Sequence, residues 1–350
     1  MSATDKKDIR AISLEELKNF LVLHNEKAFR AKQIWEWIWK KSVRSISEMS
    51  NISKELRNLL NDNFEILPIT LKFSQKSKDG TIKAGFSLSD GKIIEGVLIP
   101  SSDRTTACIS SQVGCNLNCK FCATGKIKMQ RNLTCGEIYD QVVEINKLSL
   151  EVYNYPLSNV VIMGMGEPLL NYDNVLAGID KITSPEGLGM SPQRITLSTA
   201  GISKQIKQLA DDGARFHLAI SLHAADDMKR SNIMPINNSN SLQSLSEALR
   251  YFYEKTKTRV TFEYLLLKDF NDTIHDAKKL AEFCKIVPCK INLIEYNPVG
   301  DGLFEKSSTK NAQAFFHFLE TKNLVVNFRK SKGEDIDAAC GQLANKILNS

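Results

Sequence analysis

The stretch GCNLNCKFCATG, residues 114–125, carries three cysteines on a short segment: Cys115, Cys119 and Cys122. Thiolates are ligands of zinc and of iron–sulfur clusters. Structural zinc takes four protein ligands, and catalytic zinc sites with three protein ligands normally include histidine. Three cysteines can instead hold three irons of a [4Fe–4S] cluster and leave the fourth iron open to a small molecule. The spacing therefore favours an iron–sulfur cluster, with zinc as the alternative.

The sequence around this stretch alternates between strand-like and helical patterns. Helical patterns, for example CGEIYDQVVEINKLS (135–149), separate short apolar runs typical of strands. This alternation predicts right-handed βαβ units and a parallel sheet. Fewer than eight strands are found, so we expect an α/β fold with a partial barrel whose functional residues lie at the C-terminal strand ends. The strand-like runs are residues 105–112, 159–166, 194–201, 216–223, 259–267, 290–298 and 324–330.

The chain ahead of the barrel divides into two further parts. Residues 1–65 predict a small helical domain, in which Ser13 and Glu16 form a capping-box pattern. Residues 66–100 predict an antiparallel β-ribbon with Asp-Gly turns, and the barrel then occupies residues 101–350. The helical domain carries Trp35, Trp37 and Trp39 among basic residues, and we expect these rings to face the core.

Bulk properties are those of an ordinary globular protein. The 350 residues are 42% apolar and 25% charged, and the net charge of +6 permits a polyanionic partner without requiring one. The apolar runs are too short to span a bilayer, and the polar N-terminus lacks the apolar segment of a signal peptide. We therefore expect a cytoplasmic protein, whose eight cysteines serve metal binding or chemistry rather than a disulfide framework.

The cysteine spacing, with Phe121 before the last cysteine, resembles that of the radical S-adenosylmethionine (SAM) enzymes. The resemblance implies a (β/α)6-type partial barrel in which SAM binds the open iron. GMGEP (164–168) is similar to the glycine-rich motif that holds the methionine amino group of SAM in these enzymes. Glycines permit close backbone approach, and a carboxylate accepts hydrogen bonds from an ammonium. The implied SAM-binding residues at successive strand ends are Gly166, Glu167, Ser198, Ser221, Leu222, His223 and Asn297.

Nearly the whole chain resembles the RlmN/Cfr family of adenine methyltransferases. The matching stretches are FRAKQIWEWIWKK, CISSQVGCNLNCKFCATG, GMGEPLLN, LSTAG, SLHA, MPIN, EYNP and DIDAACGQL. The resemblance implies methylation of an adenosine in the peptidyl-transferase centre of 23S rRNA, and of the adenosine 3′ of the tRNA anticodon. Pro168 and the GVLIP strand are similar to the group that methylates C2 of adenine. The group that methylates C8 and confers antibiotic resistance is the alternative.

The same resemblance implies roles for three residues outside the cluster. Cys340 would accept a methyl group from one SAM, and a second SAM would be cleaved reductively to give the radical that activates this methyl group. Cys108 would form a transient disulfide with Cys340 as the product leaves. Glu95 would remove the ring proton of adenine, and its alternative is an exposed carboxylate on a strand. Cys135, Cys284 and Cys289 match no functional position, and we expect them to be structural.

Partners and competing functions complete the sequence-based predictions. The basic stretch KFCATGKIKMQR (120–131) predicts phosphate contacts near the active site. The enzyme would need a reducing system such as flavodoxin or ferredoxin, and nothing requires more than a monomer. The alternatives are a radical SAM enzyme acting on a small molecule or protein, and a zinc-stabilised RNA-binding protein.

Overall fold

The computed structural model describes residues 6–102, 104–300 and 302–344. Its first part is helical, as predicted, and the capping box of Ser13 and Glu16 opens the first helix. Two short strands, β1 and β2, pair in parallel and bring the two ends of this part together, a contact that the sequence pattern does not indicate. The elements are β1 (Lys7–Asp8), α1 (Leu14–Leu23), α2 (Arg30–Trp39), α3 (Lys54–Asn63) and β2 (Phe64–Glu65).

The tryptophans of α2 divide between core and surface. Trp35 and Trp39 are buried, as expected. Trp37 is only partly buried and packs at the edge of the core, with the Lys41 ammonium 3.6 Å from its ring centroid. The expectation that all three rings face the core is therefore wrong for Trp37, because the helix turns this position away from the face that carries Trp35 and Trp39.

The predicted β-ribbon is present and is continuous with the barrel. Strands β3 (Thr70–Lys76), β4 (Ile82–Ser87) and β5 (Ile93–Pro100) are antiparallel neighbours. β5 also pairs in antiparallel fashion with β6 (Thr105–Cys108), the strand that leads into the cysteine loop. The ribbon therefore forms one end of the barrel sheet and places the residues of β5 beside the cysteine loop.

A short antiparallel pair, β7 (Gln112–Val113) and β8 (Arg131–Asn132), closes the base of the cysteine loop. Gly114 follows β7 with φ +81°, and a Cβ atom there would lie 2.5 Å from the carbonyl oxygen of Lys128. Glycine is therefore required at the point where the chain enters the loop. Two-residue strands are too short for sequence periodicity to reveal.

All seven predicted barrel strands are present and parallel. The sheet runs in the order β14, β13, β12, β11, β10, β9, β6, β5, β4, β3, so it is open at both ends and forms a partial barrel. Six βα units are followed by a seventh parallel strand, β14. The remaining elements are α4 (Cys135–Tyr153), β9 (Asn159–Ile162), α5 (Tyr172–Thr183), β10 (Ile195–Thr199), α6 (Ser203–Asp211), β11 (His217–Ser221), α7 (Asp227–Ile233), α8 (Leu242–Thr256), β12 (Val260–Leu266), α9 (Ile274–Phe283), β13 (Cys289–Glu295), α10 (Thr309–Glu320) and β14 (Val326–Arg329).

Buried ion pairs attach the helical part to the barrel. Nη1 of Arg10 lies 2.8 Å from Oδ2 of Asp140, a residue of α4, and both side chains are largely buried. Asp140 also accepts the backbone N–H of Ile69. Because a buried charge is costly without a partner, this pair fixes where the helical part meets α4. No helix within the described ranges combines the length and apolar character that a membrane crossing requires.

Candidate functional site

The cysteine loop lies at the C-terminal edge of the parallel strands, between β7 and β8. Cys115 is buried, and Cys119 and Cys122 are partly exposed. The loop is shielded by a small apolar cluster that is separate from the main core. The buried members of this cluster are Cys115, Leu117, Ala200, Ile233, Met234, Leu265, Leu267 and Tyr296.

The three thiols are close enough to influence one another electrostatically. Burial raises the pKa of Cys115 to about 11, and burial with the neighbouring thiols raises the pKa of Cys119 further. Burial also raises the pKa of Cys122. Coordination to iron deprotonates a thiol outright, so the desolvated loop suits a metal cluster as the source of compensating positive charge.

A preformed site for one metal ion is absent from the part of the chain that the structure describes. No three or more histidine, cysteine, aspartate or glutamate side chains there are placed to hold one ion. The three-cysteine donor set of the loop has the chemistry that a [4Fe–4S] cluster requires.

The GMGEP segment follows β9 and packs tightly against the start of the cysteine loop. A Cβ atom on Gly164 would lie 2.7 Å from Oγ of Ser110, and Gly166 has φ +97°, with its Cβ position 2.5 Å from Cβ of Gln112. Side chains larger than hydrogen are therefore excluded at both glycines. The segment presents backbone at the edge of the barrel, which is what close approach of a ligand requires.

Glu167 ties this segment to the next strand end. Its carboxylate is buried and accepts backbone N–H groups from Ala200 at 2.7 Å and from Leu169 at 3.0 Å. Burial raises the pKa of Glu167, and these hydrogen bonds oppose the rise. Sequence reasoning makes this carboxylate an acceptor for the ammonium of SAM, whereas the structure shows it joining two loops of the site.

Polar side chains at the ends of β10 and β11 lie together, as predicted. Oγ of Ser198 is 3.5 Å from Oγ of Ser221. His223 is buried, with φ +56°, and its Nδ1 accepts the backbone N–H of Leu265 at 3.1 Å. Burial lowers the pKa of His223 to about 3, so the ring is neutral with its proton on Nε2. Leu222, between these residues, is fully buried.

The ring of His223 also contacts the cysteine loop. Its centroid lies 4.7 Å from that of Phe121 in an edge-on arrangement. The aromatic position of the cysteine motif therefore connects the loop to the end of β11, and through it to the predicted SAM-binding residues.

Asn297, after β13, carries an unused polar atom in the site. The residue is 2% exposed, and its Nδ2 donates to the backbone oxygen of Cys340 at 3.2 Å. Its Oδ1 is buried without a hydrogen-bond partner among the described residues. Because buried polar atoms are rarely left unpaired, this oxygen suits a bound ligand that donates a hydrogen bond, such as the amino group of an adenine. The site residues thus fit SAM.

Cys340 lies on a loop, residues 333–344, that crosses the top of the barrel. Ala123 donates its backbone N–H to the Gly341 oxygen at 2.7 Å, and the Thr124 hydroxyl donates to the Leu343 oxygen at 2.6 Å. These bonds hold the loop directly beside the cysteine motif. We call this segment the C-terminal loop.

The C-terminal loop brings Cys340 close to the cysteine loop, and Cys108 at the end of β6 lies near Cys340. Cys340 is exposed at the surface, and desolvation by the surrounding protein, with Glu263 and Cys122 nearby, raises its pKa to about 12. Burial and the proximity of Cys340 raise the pKa of Cys108, also to about 12. Cysteines far apart in the sequence thus share one site, and all eight are free thiols.

Glu95 lies at the rim of the same site. It is 1% exposed, and its Oε2 accepts the backbone N–H of Ala344 at 2.9 Å. Its Oε1 is 4.0 Å from the ammonium of Lys83, which is also buried. The alternative of an exposed carboxylate is therefore wrong, because β5 lies under the C-terminal loop rather than at a free surface.

The predicted basic footprint is smaller than the sequence suggests. Arg131 is held by Asp90 and Glu137, and Lys120 donates to Asn232. Lys128 is exposed on the loop. Two of the four cations in the stretch thus also stabilise the fold.

Sequence reasoning missed Arg230 of α7. This arginine is fully buried and donates to backbone oxygens of Ala200 and Leu222, which belong to the strand ends around the site. The surrounding sequence, DDMKRSNI, resembles an exposed charged helix and gives no signal of this burial.

Comparisons with known proteins agree with this geometry. A family model described as the ribosomal RNA large subunit methyltransferase N-terminal domain matches residues 7–66, and the radical SAM superfamily model matches residues 109–284. A solved radical SAM methyltransferase from Sphaerobacter thermophilus superposes with a TM-score of 0.90 at 37% identity, covering 96% of this chain and 99% of that chain. The fold and the site define a radical SAM enzyme, a class that implies a [4Fe–4S] cluster and SAM.

The relatives narrow this class further. Proteins from Cytophaga hutchinsonii and Christiangramia forsetii, both named probable dual-specificity RNA methyltransferase RlmN, are 57% and 54% identical to this chain. Each alignment covers 97% of this chain, and 93% and 97% of the respective relatives. The chain belongs to the RlmN family of radical SAM RNA methyltransferases. The predicted fold class and family are confirmed.

Proposed function

We propose that this enzyme methylates C2 of an adenosine in the peptidyl-transferase centre of 23S rRNA and the adenosine 3′ of the tRNA anticodon. The printed names of its relatives describe dual-specificity RNA methyltransferases, which supports two RNA substrates. The observation that carries the proposal is the position of Cys340, which the C-terminal loop holds beside Cys122 and Cys108. A radical SAM enzyme acting on a small molecule has no need of this arrangement.

Cys115, Cys119 and Cys122 would hold the [4Fe–4S] cluster, with its fourth iron open to SAM. When bound, the cluster supplies the electron that cleaves SAM to a carbon radical. Gly166, Glu167, Ser198, Ser221, Leu222, His223 and Asn297 would line the SAM pocket. A flavodoxin or ferredoxin system is the proposed electron donor, and the enzyme is proposed to act as a monomer.

Cys340 is the proposed methyl carrier. Its sulfur gives up a proton and takes a methyl group from one SAM. A second SAM supplies the radical, so two SAM molecules are used in each turnover. The carbon radical derived from the second SAM takes a hydrogen atom from this methyl group, and the resulting methylene carbon bonds to adenine C2. This route suits C2 because that carbon is electron-poor and does not attack a sulfonium methyl as a nucleophile would.

Cys108 and Glu95 are proposed to complete the reaction. Glu95 accepts the proton that leaves C2. Cys108 then forms a disulfide with Cys340 as the bond between the Cys340 sulfur and the transferred carbon breaks. The proton of the Cys108 thiol passes to the transferred carbon, which becomes the methyl group of the product, and the one unpaired electron would return to the electron-transfer centre. A thiol reductant then restores both cysteines. Cys340 raises the pKa of Cys108, which supports the short separation that this step needs.

The first experiment tests the methyl carrier without RNA. Anaerobically reconstituted enzyme is incubated with SAM and digested, and the peptide GEDIDAACGQLANK, residues 333–346, is weighed. We expect the mass of one added methyl group on Cys340 and none in the Cys340→Ala variant. Cys135, a cysteine of α4 outside the site, serves as the control position, since Cys135→Ser should leave the methylation unchanged. An unmodified peptide from enzyme with an intact cluster would contradict the carrier role.

A second experiment identifies the product. Ribosomal RNA and tRNA are incubated separately with enzyme, SAM and reductant, then digested to nucleosides and separated by mass spectrometry. We expect 2-methyladenosine from both RNAs. Appearance of 8-methyladenosine would assign the chain to the C8 reaction, and a product from one RNA only would refute dual specificity.

A further inference from the structure

Arg230 is a buried cation whose donors are all directed at neutral acceptors. The residue is 0% exposed. Its Nη2 donates to the Ala200 oxygen at 2.6 Å, its Nε to the Leu222 oxygen at 3.1 Å, and its Nη1 to Oδ1 of Asn237 at 2.7 Å. Within the described ranges no carboxylate forms a salt bridge with it. Burial lowers the pKa of Arg230 only to about 10, so the guanidinium is charged at neutral pH.

Asp227, a carboxylate that acts on this arginine electrostatically, is separated from it by an amide. Nδ2 of Asn237 donates to Oδ1 of Asp227 at 2.8 Å, while its Oδ1 accepts from Arg230. Asp227 is exposed to solvent. Its charge is therefore screened by water, and it compensates the buried guanidinium only in part.

The helix that carries Arg230, α7, is attached to the cysteine loop, because Ile233 accepts the backbone N–H of Lys120 at 3.0 Å. Arg230 and Cys119 influence each other electrostatically, each favouring the charged form of the other. The buried positive charge is thus close enough to the middle cysteine of the motif to act on it, and its helix is bonded to the residue that follows this cysteine.

A buried charge without a partner is costly, and proteins retain one where another charge balances it. Three cysteine thiolates bring negative charge to this loop when a cluster binds, and reduction of the cluster adds one more electron. In a low-dielectric surrounding, a nearby cation stabilises the more negative state. The same reasoning explains why a basic residue is buried here without a carboxylate.

We propose that Arg230 is the counter-charge of the iron–sulfur site and raises the reduction potential of its cluster. The inference rests on the cluster assigned under the proposed function, and it adds a residue that controls how readily the electron donor can reduce that cluster. Arg230 is a positioning residue as well, since its hydrogen bonds hold the strand ends that line the proposed SAM pocket.

The test is a spectroelectrochemical titration of the reconstituted enzyme with redox mediators, without SAM or RNA. Arg230→Gln removes the buried charge. At a fixed applied potential we expect about a tenfold lower ratio of reduced to oxidised cluster, equivalent to about 59 mV for one electron. Lys229→Gln is the matched control: it removes the same charge from the neighbouring position, where the ammonium is paired with Asp276. We expect no change of potential in that variant.

A second variant separates charge from packing and covers the case in which Arg230→Gln fails to bind a cluster. The double exchange Asp227→Asn with Asn237→Asp keeps the net charge and the side-chain sizes, although residue 237 no longer donates to the backbone oxygen of residue 227. It moves the carboxylate into direct contact with Arg230. We expect the reduction potential of the cluster to become more negative in this double variant. Asn237→Ala keeps the arginine charge, so its reduction potential should stay close to that of the wild type.

The outcomes distinguish the two proposals. A wild-type protein that binds no cluster, and shows no visible absorption after reconstitution, would refute the cofactor assignment itself. A wild-type cluster with unchanged potential in the double exchange, and in Arg230→Gln where this variant binds a cluster, would overturn the counter-charge alone. A more negative potential in both variants, with Lys229→Gln unaffected, would support it.

Discussion

Replacing Glu167 by glutamine distinguishes a structural carboxylate from a ligand-binding one. Both carboxylate oxygens accept a backbone N–H, one from Leu169 and one from Ala200, in a fully enclosed position. Glutamine offers one acceptor oxygen, and its amide nitrogen donates. Whichever way the amide turns, one backbone N–H faces another donor and loses its partner.

The loss of stability follows from the number of backbone N–H groups that are left without an acceptor. A buried N–H left without a partner costs about 1–3 kcal/mol. Glu167→Gln should therefore destabilise the protein by that amount, and Glu167→Met, which removes both acceptors, by about twice as much. For domains of 150–250 residues, each kcal/mol lowers the melting temperature by about 2–4 °C. The melting temperature should thus fall by several degrees in Glu167→Gln and by more in Glu167→Met.

The assay is thermal unfolding of the protein without SAM, followed by SAM binding under the same conditions. We expect both variants to melt below the wild type in the order wild type, Glu167→Gln, Glu167→Met. Leu169 and Ala200 then lose their common anchor, and SAM binding weakens as a consequence. Equal melting temperatures for all three proteins, combined with weaker SAM binding, would refute this reasoning and favour a carboxylate that only contacts the ligand.

Two further predictions concern other buried ionisable side chains. Burial lowers the pKa of His223 from 6.5 to about 3, so its stabilising contribution is full above pH 6.5 and is lost as the pH falls toward 3. Its imidazole NMR signals should not titrate between about pH 5 and 8, the range in which an unperturbed histidine changes charge. Signals that move in this range would contradict the burial. Arg10→Met should reduce the free energy of unfolding by about 3–5 kcal/mol, because it leaves Asp140 buried and unpaired. Urea denaturation should show that adding Asp140→Asn to Arg10→Met restores part of this free energy. Equal losses in the single and double variants would count against the ion pair.

Local patterns were sufficient to predict the barrel. Each strand-like run lies at an observed strand because alternation and β-branched composition are properties of consecutive residues. The polar residues at strand ends are similarly local, and the topology of parallel strands brings Ser198, Ser221 and Asn297 to one edge. The C-terminal cysteine could be placed near the cluster only through family resemblance, since no spacing rule links Cys340 to residue 122.

The environment of a charged residue was harder to predict. Glu95 lies on an alternating strand that suggests partial exposure, yet it is covered by a segment 249 residues further along the chain. Arg230 is buried because the ends of β10 and β11 converge on it, although its own helix is polar by composition. Burial of this kind depends on partners remote in sequence, which a period of two or 3.6 residues does not reveal.

The C-terminal loop follows the last strand of the sheet in the chain, yet it carries the proposed methyl carrier. During synthesis, all strands and all three cluster cysteines therefore emerge before Cys340 does. A polypeptide interrupted before residue 333 would keep the proposed cluster ligands and lack the proposed methyl carrier. Completion of translation acts in this respect as a checkpoint on the enzyme's most reactive chemistry.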